Sequence, residues 1–435
     1  MRVSTNCSVF AILLASSVLS LFARPPVEPV SPTCPEGNST ISVQSYSISE
    51  ISPAYDGQWQ GTVAASDGNV YFGASSHSNG KGAGFFKFDP RANRIAVLAA
   101  DISTVVGENP TVVTPQGKIH SSIEEVDGWL YFGTHIAAIN PTTVAKYTGG
   151  HVVGYEMATG RFRDLGVLQP NQTIYAGLAA DKVRKKLYVF TTYPGNNFRG
   201  GPVVGSSPHV FRVDIATGAK QDLGTVGSGS DFTGPIYVDH KGNAWIHAAW
   251  DGGLYKARPD RNTLERFPLG REYYYWIAPY PDSGNRYAIL MKGAPNEPTT
   301  FSIFDPEAPV GRAFHDLATV PATYFVGAAL DDTTKTVFYT ATSSGAGSYS
   351  GGDTLYSFCL DTRRVTSHGT VVDQNGRRPW RLGGMAANGN LFMVGEWYAL
   401  GGDALVVRNG VPRTGSAGRK VTMRLSKASV GRLCP

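Results

Sequence analysis

His120 and His135 are the residues of this sequence best suited to moving a proton. His120 follows Lys118-Ile119, and His135 ends the run Tyr131-Phe132-Gly133-Thr134. Imidazole titrates near neutrality, so two rings brought to one place can divide acid and base work. The plainer alternative is that each is a hydrogen-bonded scaffold histidine. Tyr193 and Arg199 stand on a long glycine-rich stretch, Tyr193-Pro194-Gly195-Asn196-Asn197-Phe198-Arg199-Gly200-Gly201, and long loops in compact folds are usually functional. Arg381 offers a fork for an anion, and Trp250, Trp276, Tyr324 and His247 offer rings and polar edges for a ligand. Acids are scarcer at this place: Glu396 and Asp251 are the ones expected there, while the adjacent Glu124 and Glu125 must point to opposite sides of a strand. The sequence has no CxxC and no zinc-ligand spacing. It therefore demands no cofactor, and a divalent cation, calcium or another, stays open as one that a His cluster would bind.

What must position these residues is a repeat. One pattern recurs seven times, roughly 40 to 60 residues apart: strand, tight turn, strand, loop, strand ending in Asp, turn. Its clearest copies are Asp67-Gly68-Asn69-Val70-Tyr71-Phe72-Gly73 and Asp127-Gly128-Trp129-Leu130-Tyr131-Phe132-Gly133. Asp-Gly between alternating apolar runs is a strong hairpin signal. Units of this length made of four strands mark a β-propeller, predicted here as one all-β, seven-bladed ring over residues 41–435. A two-sheet sandwich would not need one period throughout. In such a ring the start of each first strand and the end of each second strand meet at one mouth. Counting from the turns places His120, Trp276, Arg381 and, approximately, Tyr175 and Tyr324 there, facing His135 and Glu396. His151 and His209 begin the third strands of consecutive units, which reads as equivalent scaffold positions. One or both of the alternating segments Thr40–Tyr46 and Lys420–Leu425 are expected to complete the last blade, because an open edge strand would be sticky.

The chain's ends point to export. Arg2, the apolar stretch Val9 to Leu21 and Ala23 before Arg24-Pro25-Pro26 read as a signal peptide over 1–23, too short an apolar core for a comfortable membrane span. A Pro-rich lead-in, 24–40, follows. The sequons at Asn38 and Asn171 suit a glycosylating route to an extracellular location. Cys34 and Cys434 would tie the two ends together in an oxidising compartment, and Cys359 is expected as a free core thiol. A net charge of +5 spread through 435 residues gives no nucleic-acid footprint, and a monomer without a membrane partner is expected.

Several of these segments also resemble a known family. Lys118-Ile119-His120-Ser121, Tyr131-Phe132-Gly133-Thr134-His135, and Gly149-Gly150-His151 leading to Tyr155 and Ala158-Thr159-Gly160 are similar to secreted β-propeller polysaccharide lyases. That group includes ulvan, oligogalacturonate and rhamnose–glucuronate lyases, and the resemblance is nearest to the L-rhamnose-α-1,4-D-glucuronate lyase type. It implies β-elimination at C4 of a uronic acid in a plant or algal polysaccharide. It also implies His120 as base or base/acid, His135 or Tyr193 as its partner, and Arg199 or Arg381 on the carboxylate. Trp276, Trp250 and Tyr324 would then stack on sugar faces, with His247 and Glu396 among the binding residues. Two other classes share the scaffold: a glycan-binding propeller, which has no need of the His pair, and a hydrolase, which needs two facing carboxyl groups.

Overall fold

The computed structural model describes residues 40–52, 54–58, 60–78, 80–194, 207–227, 233–248, 253–268, 273–293, 299–320, 324–342, 354–403, 406–408, 411–413 and 419–429. Strands dominate them, and the helices are the short turns Ile102–Val105 and Pro141–Ala145 with a 3-10 turn at Val310–Arg312. Each hairpin forms where turn chemistry interrupts an apolar alternation. At Asp127-Gly128 both residues have positive φ, 50° and 77°, as a tight hairpin turn requires.

The strands make a β-propeller. The first sheet is Thr62–Ala64, Val70–Ala74, Gly84–Asp89 and Arg94–Ala99. The second is Lys118–Ile119 with Glu124–Val126, then Trp129–His135, His151–Glu156 and Phe162–Val167. The third is Thr173–Asp181, Lys186–Thr192, His209–Asp214 and Lys220–Thr225. Sheets beginning at Thr233 and Tyr273 follow the same order. From the second sheet onward the first strands of successive sheets touch in chain order, Lys118–Ile119 touches Val70–Ala74 of the first sheet, and Thr62–Ala64 touches Pro379–Ala387, so the series closes on itself.

The packing follows from that arrangement. Apolar side chains lie between neighbouring sheets rather than in one central core. Phe85 of the first sheet meets Phe132 of the second at 4.9 Å between ring centroids, in a cluster with Tyr71, Val153 and Tyr155. At about 1.5–3 kcal/mol per buried large side chain, such wedges hold the sheets in place. The close of the ring is another of them, with Phe392 and Met423 against Phe72 and Phe86.

The sheet count departs from the expected seven. Five sheets of four or five strands stand separately, eight further strands form one sheet, and Val406–Arg408 pairs with Val411–Arg413 as a small two-stranded ribbon. The cause is the N-terminal strand Thr40–Ser47. It pairs antiparallel with Arg419–Ser429 and, through its first half, parallel with Val365–Asp373 (Thr40 opposite Thr370), joining two four-stranded runs. Both terminal segments therefore enter the closing sheet. Buried polar groups lock this seam. The Arg424 Nε–H donates to Ser45 Oγ at 2.9 Å, Ser45 Oγ donates to Asp373 at 2.9 Å, and Gln374 bonds the Ser45 backbone on both sides. The signal segment, the lead-in up to 39, Asn38, Cys34 and Cys434 lie outside the described residues. Cys359 is a free thiol, as expected, but half-buried rather than in the core, because it sits at the strand's last position.

Candidate functional site

The first strand of the second sheet breaks at His120. Lys118–Ile119 pairs with His135 and Thr134, pairing resumes at Glu124, and the backbone between them bonds to neighbouring sheets. The His120 carbonyl accepts the Ala176 N–H at 2.9 Å, and the Ser121 carbonyl accepts the Gly61 N–H at 3.1 Å. Ser121 Oγ accepts the Gly133 N–H at 2.8 Å, standing in for the missing ladder bond. The segment is thus held from both sides although it belongs to no strand. Its Ile119 fills the space that Gly73 leaves open, since a Cβ there would lie 2.7 Å from Ile119 Cβ. Gly133 does the same for Ile174, with a Cβ position 2.3 Å from Ile174 Cγ2.

Three rings meet at this break. The centroids of His120 and His135 are 5.6 Å apart, and Tyr175 lies 4.3 Å from His120 and 5.3 Å from His135. Tyr175 is aimed there by an irregularity in its own strand. The register shifts between Ile174 and Leu178, and Ala176 takes φ +60°, an uncommon conformation for a side-chain-bearing residue. Their exposures differ in a way that assigns roles. His135 is fully enclosed, His120 keeps 5% of its surface, and Tyr175 is half-buried. His120 and Tyr175 therefore keep surface that a ligand could touch, whereas His135 keeps none.

Burial first, and then the charge of Lys118, hold the His135 pKa well below the usual imidazole value, so the ring is neutral. His77 pushes the same way, against the hydrogen bond from His135 Nδ1 to the Ile136 carbonyl. A carbonyl only accepts, so Nδ1 carries the proton and Nε2 the lone pair. His77 is itself oriented by Asp56, whose Oδ1 lies 2.7 Å from its Nδ1.

The other expected residues divide. Tyr193 is half-buried just past the strand end Thr192, and the tyrosine packed against the His pair is Tyr175, tilted by 48° to the His120 ring. Trp276 is half-buried against the core around Ile289 and Met291 rather than standing clear as a platform, because its strand position faces the next sheet. His247 is 2% exposed inside a central strand and so is enclosed, not a surface contact. Arg381 and Glu396 are direct cross-strand partners, and Tyr324 is opposite Thr342. Arg199, Trp250 and Asp251 lie outside the described residues. Glu125 turns towards the first sheet, accepting the Ser66 N–H at 2.9 Å, and burial raises the Glu124 pKa to about 7 against the pull of Lys182.

His151 and His209 prove to be scaffold groups with a shared partner rule. His151 Nδ1 meets Asp164 at 3.0 Å and His209 Nδ1 meets Asp222 at 2.9 Å, each Asp on the adjoining fourth strand. Only His151 gains a second carboxylate, Glu108, at 3.2 Å from Nε2. Glu108 also accepts from Gln116 and Thr148, and so binds the segments 100–117 and 136–150 into one rim beside the His pair. The Gly149-Gly150-His151 run is thus structural: a Cβ on Gly150 would lie 2.7 Å from the Thr134 carbonyl. Asn171 is exposed in a turn. Among the described residues no group of three or more His, Cys, Asp or Glu side chains could hold a metal ion, and no helix is long and apolar enough to cross a membrane.

Fold and site together define a β-propeller with a His–His–Tyr cluster at a strand break. No family model and no curated protein matches the sequence. Among solved structures the chain is similar to virginiamycin B lyase from Staphylococcus aureus, with 8% identity and a TM-score of 0.51 over 81% of this chain and 95% of that one. It is also similar to a GH74 enzyme of Niastella koreensis, with 11% identity and a TM-score of 0.53 over 81% of this chain and 52% of that one. A third likeness is to the WD40 repeats of RRP9, with 10% identity and a TM-score of 0.51 over 89% of this chain and 100% of that one. Proteins this different sharing one likeness establish the scaffold, the propeller, and leave the chemistry to the site.

Proposed function

We propose that the protein is a secreted polysaccharide lyase that cleaves at C4 of a uronic acid by β-elimination, with rhamnosyl-glucuronate side chains of a plant or algal polysaccharide as the particular substrate. The observation that carries this reading is the contact of Tyr175 with both His120 and His135, at 4.3 and 5.3 Å between centroids. Elimination needs one group to take a proton and another to give one, within a bond or two of each other. His120 takes the C5 proton, the C5–H electrons form the C4–C5 double bond, the C4–O4 bond breaks, and Tyr175 gives its phenolic proton to O4. Neutral His135 backs both rings.

The same reading takes the eight-stranded sheet as two blades sharing a seam, which makes seven. Export of a monomer, glycans at Asn38 and Asn171 and a Cys34–Cys434 clasp belong to it as proposals. Incubating the protein with uronate-containing polysaccharides and following the ultraviolet absorbance of the unsaturated uronate tests the reaction. New reducing ends without that chromophore would mean hydrolysis. Affinity without either product would mean a binding module.

A further inference from the structure

We propose that Lys118, with His77 beside it, forms an anion subsite that receives the carboxylate of the acidic sugar while C5 lies against His120. The proposal rests on the lyase reading, in which the sequence by itself pointed to Arg199 or Arg381 for this task. Lysine is seldom buried, yet Lys118 is 5% exposed, the same as His120. Ile119 between them packs into the apolar cluster of the first and second sheets. Lys118 lies directly opposite His135 in the ladder, so these two side chains share a face, and the His120 ring meets His135 on that side. Both reach His135: the His120 ring by contact at 5.6 Å, and Lys118 as its backbone partner, with a charge felt by the ring.

The third basic group comes from the first sheet. The Ser76 N–H donates to the Gly117 carbonyl at 2.8 Å, which sets His77 next to Lys118 across the sheet boundary. Asp56 Oδ1 lies 2.7 Å from His77 Nδ1 and fixes the orientation of the ring. Lys118 and His77 both act on His135 with the sign of a positive charge, which favours an anion beside that ring. Substrate stereochemistry fits this spacing. In a uronate the carboxylate is bonded to C5, the carbon whose proton is removed. The cation and the base must therefore stand close together, as Lys118 and His120 do through their shared neighbour His135.

The test titrates the full-length protein at neutral pH with sodium D-glucuronate, and with D-glucose as the neutral control, observing the imidazole proton resonances. Glucuronate should shift His77, His120 and His135, and glucose should not. Lys118→Met should weaken glucuronate binding about 10- to 100-fold, as expected for losing a charge-assisted hydrogen bond, and Lys118→Arg should retain most of it. Equal binding of glucose, imidazole shifts confined to other histidines, or unchanged binding by Lys118→Met would overturn the proposal. The wild-type shifts decide it even if Lys118→Met does not fold. Polymer turnover separates the two readings. Elimination by the wild type with an unchanged KM in Lys118→Met sinks the subsite alone. Lys118-dependent glucuronate binding without elimination of any uronate polymer sinks the lyase reading alone.

Discussion

The Asp164–His151–Glu108 arrangement should make part of the protein's stability depend on pH between neutrality and alkali. Burial alone would lower the His151 pKa, but the hydrogen bonds its ring donates to the Asp164 and Glu108 carboxylates outweigh it and raise the value from 6.5 to about 9. A tenfold gain in proton affinity on folding is worth about 1.4 kcal/mol. The His151 and Glu108 side chains are 7% and 9% exposed and Asp164 is 27% exposed, so about 2–3 kcal/mol survives solvent screening. The folded chain holds this proton more tightly than the unfolded chain does. The contribution is therefore complete below pH 6.5 and disappears as pH rises through about 9. For 435 residues at about 2.1 cal/mol/K of unfolding entropy each, that energy corresponds to roughly 2–3 °C in Tm. The comparison is wild type against His151→Gln, melted by calorimetry at pH 6 and pH 10. The gap between them should narrow by roughly that amount at the higher pH. His209→Gln removes a more exposed pair, 21% and 46%, and should cost about 0–1 kcal/mol. A gap between wild type and His151→Gln that is the same at both pH values would refute the reasoning.

His120→Ala and Tyr175→Phe should each lower elimination by about 10²–10⁴-fold with little change in melting temperature, and Tyr193→Phe should do less. Equal loss in the two tyrosine variants would show that the ring contact does not mark the acid. Arg424→Ala removes a buried cation 3.8 Å from Asp373, which keeps Arg377 at 4.0 Å, and breaks the hydrogen bond to Ser45, so denaturant titration should register a loss of about 1–3 kcal/mol. Gly133→Ala should destabilise by about 1–3 kcal/mol, because its Cβ would meet Ile174 at 2.3 Å. The double variant with Ile174→Ala should recover the overpacking part of that loss, and no recovery would exclude the clash as its cause. Glu124→Gln should stabilise the protein above pH 7, where the half-buried carboxyl would otherwise lose a proton that the fold retains up to about 7. A denaturation midpoint at pH 8 equal to that of wild type would count against this.

The strands were legible because turns and alternation are local. Asp127-Gly128 and the Phe-Gly ends of second strands say where a hairpin closes without reference to distant residues. Register then carried His120 and His135 to the same place, since strand periodicity turns a residue count into a position. Both terminal strands were readable as ring closers for the same reason. Three things depend on contacts between segments far apart in the chain. Tyr175 joins the His pair through the irregular backbone at Ala176, bonded to the His120 carbonyl at 2.9 Å, and no propensity encodes that. Burial separated His135, enclosed, from His120, with its exposed edge, although the two look alike as sequence. Lys118 read as the unremarkable first letter of a strand until packing hid it beside His77 and His135. By itself the sequence determined the repeat, its strands and which residues could approach one another, because those follow from local backbone preference. The tertiary structure alone decided which rings touch, which stay wet and which charges act on them, because distance and desolvation arise only when separate sheets pack together.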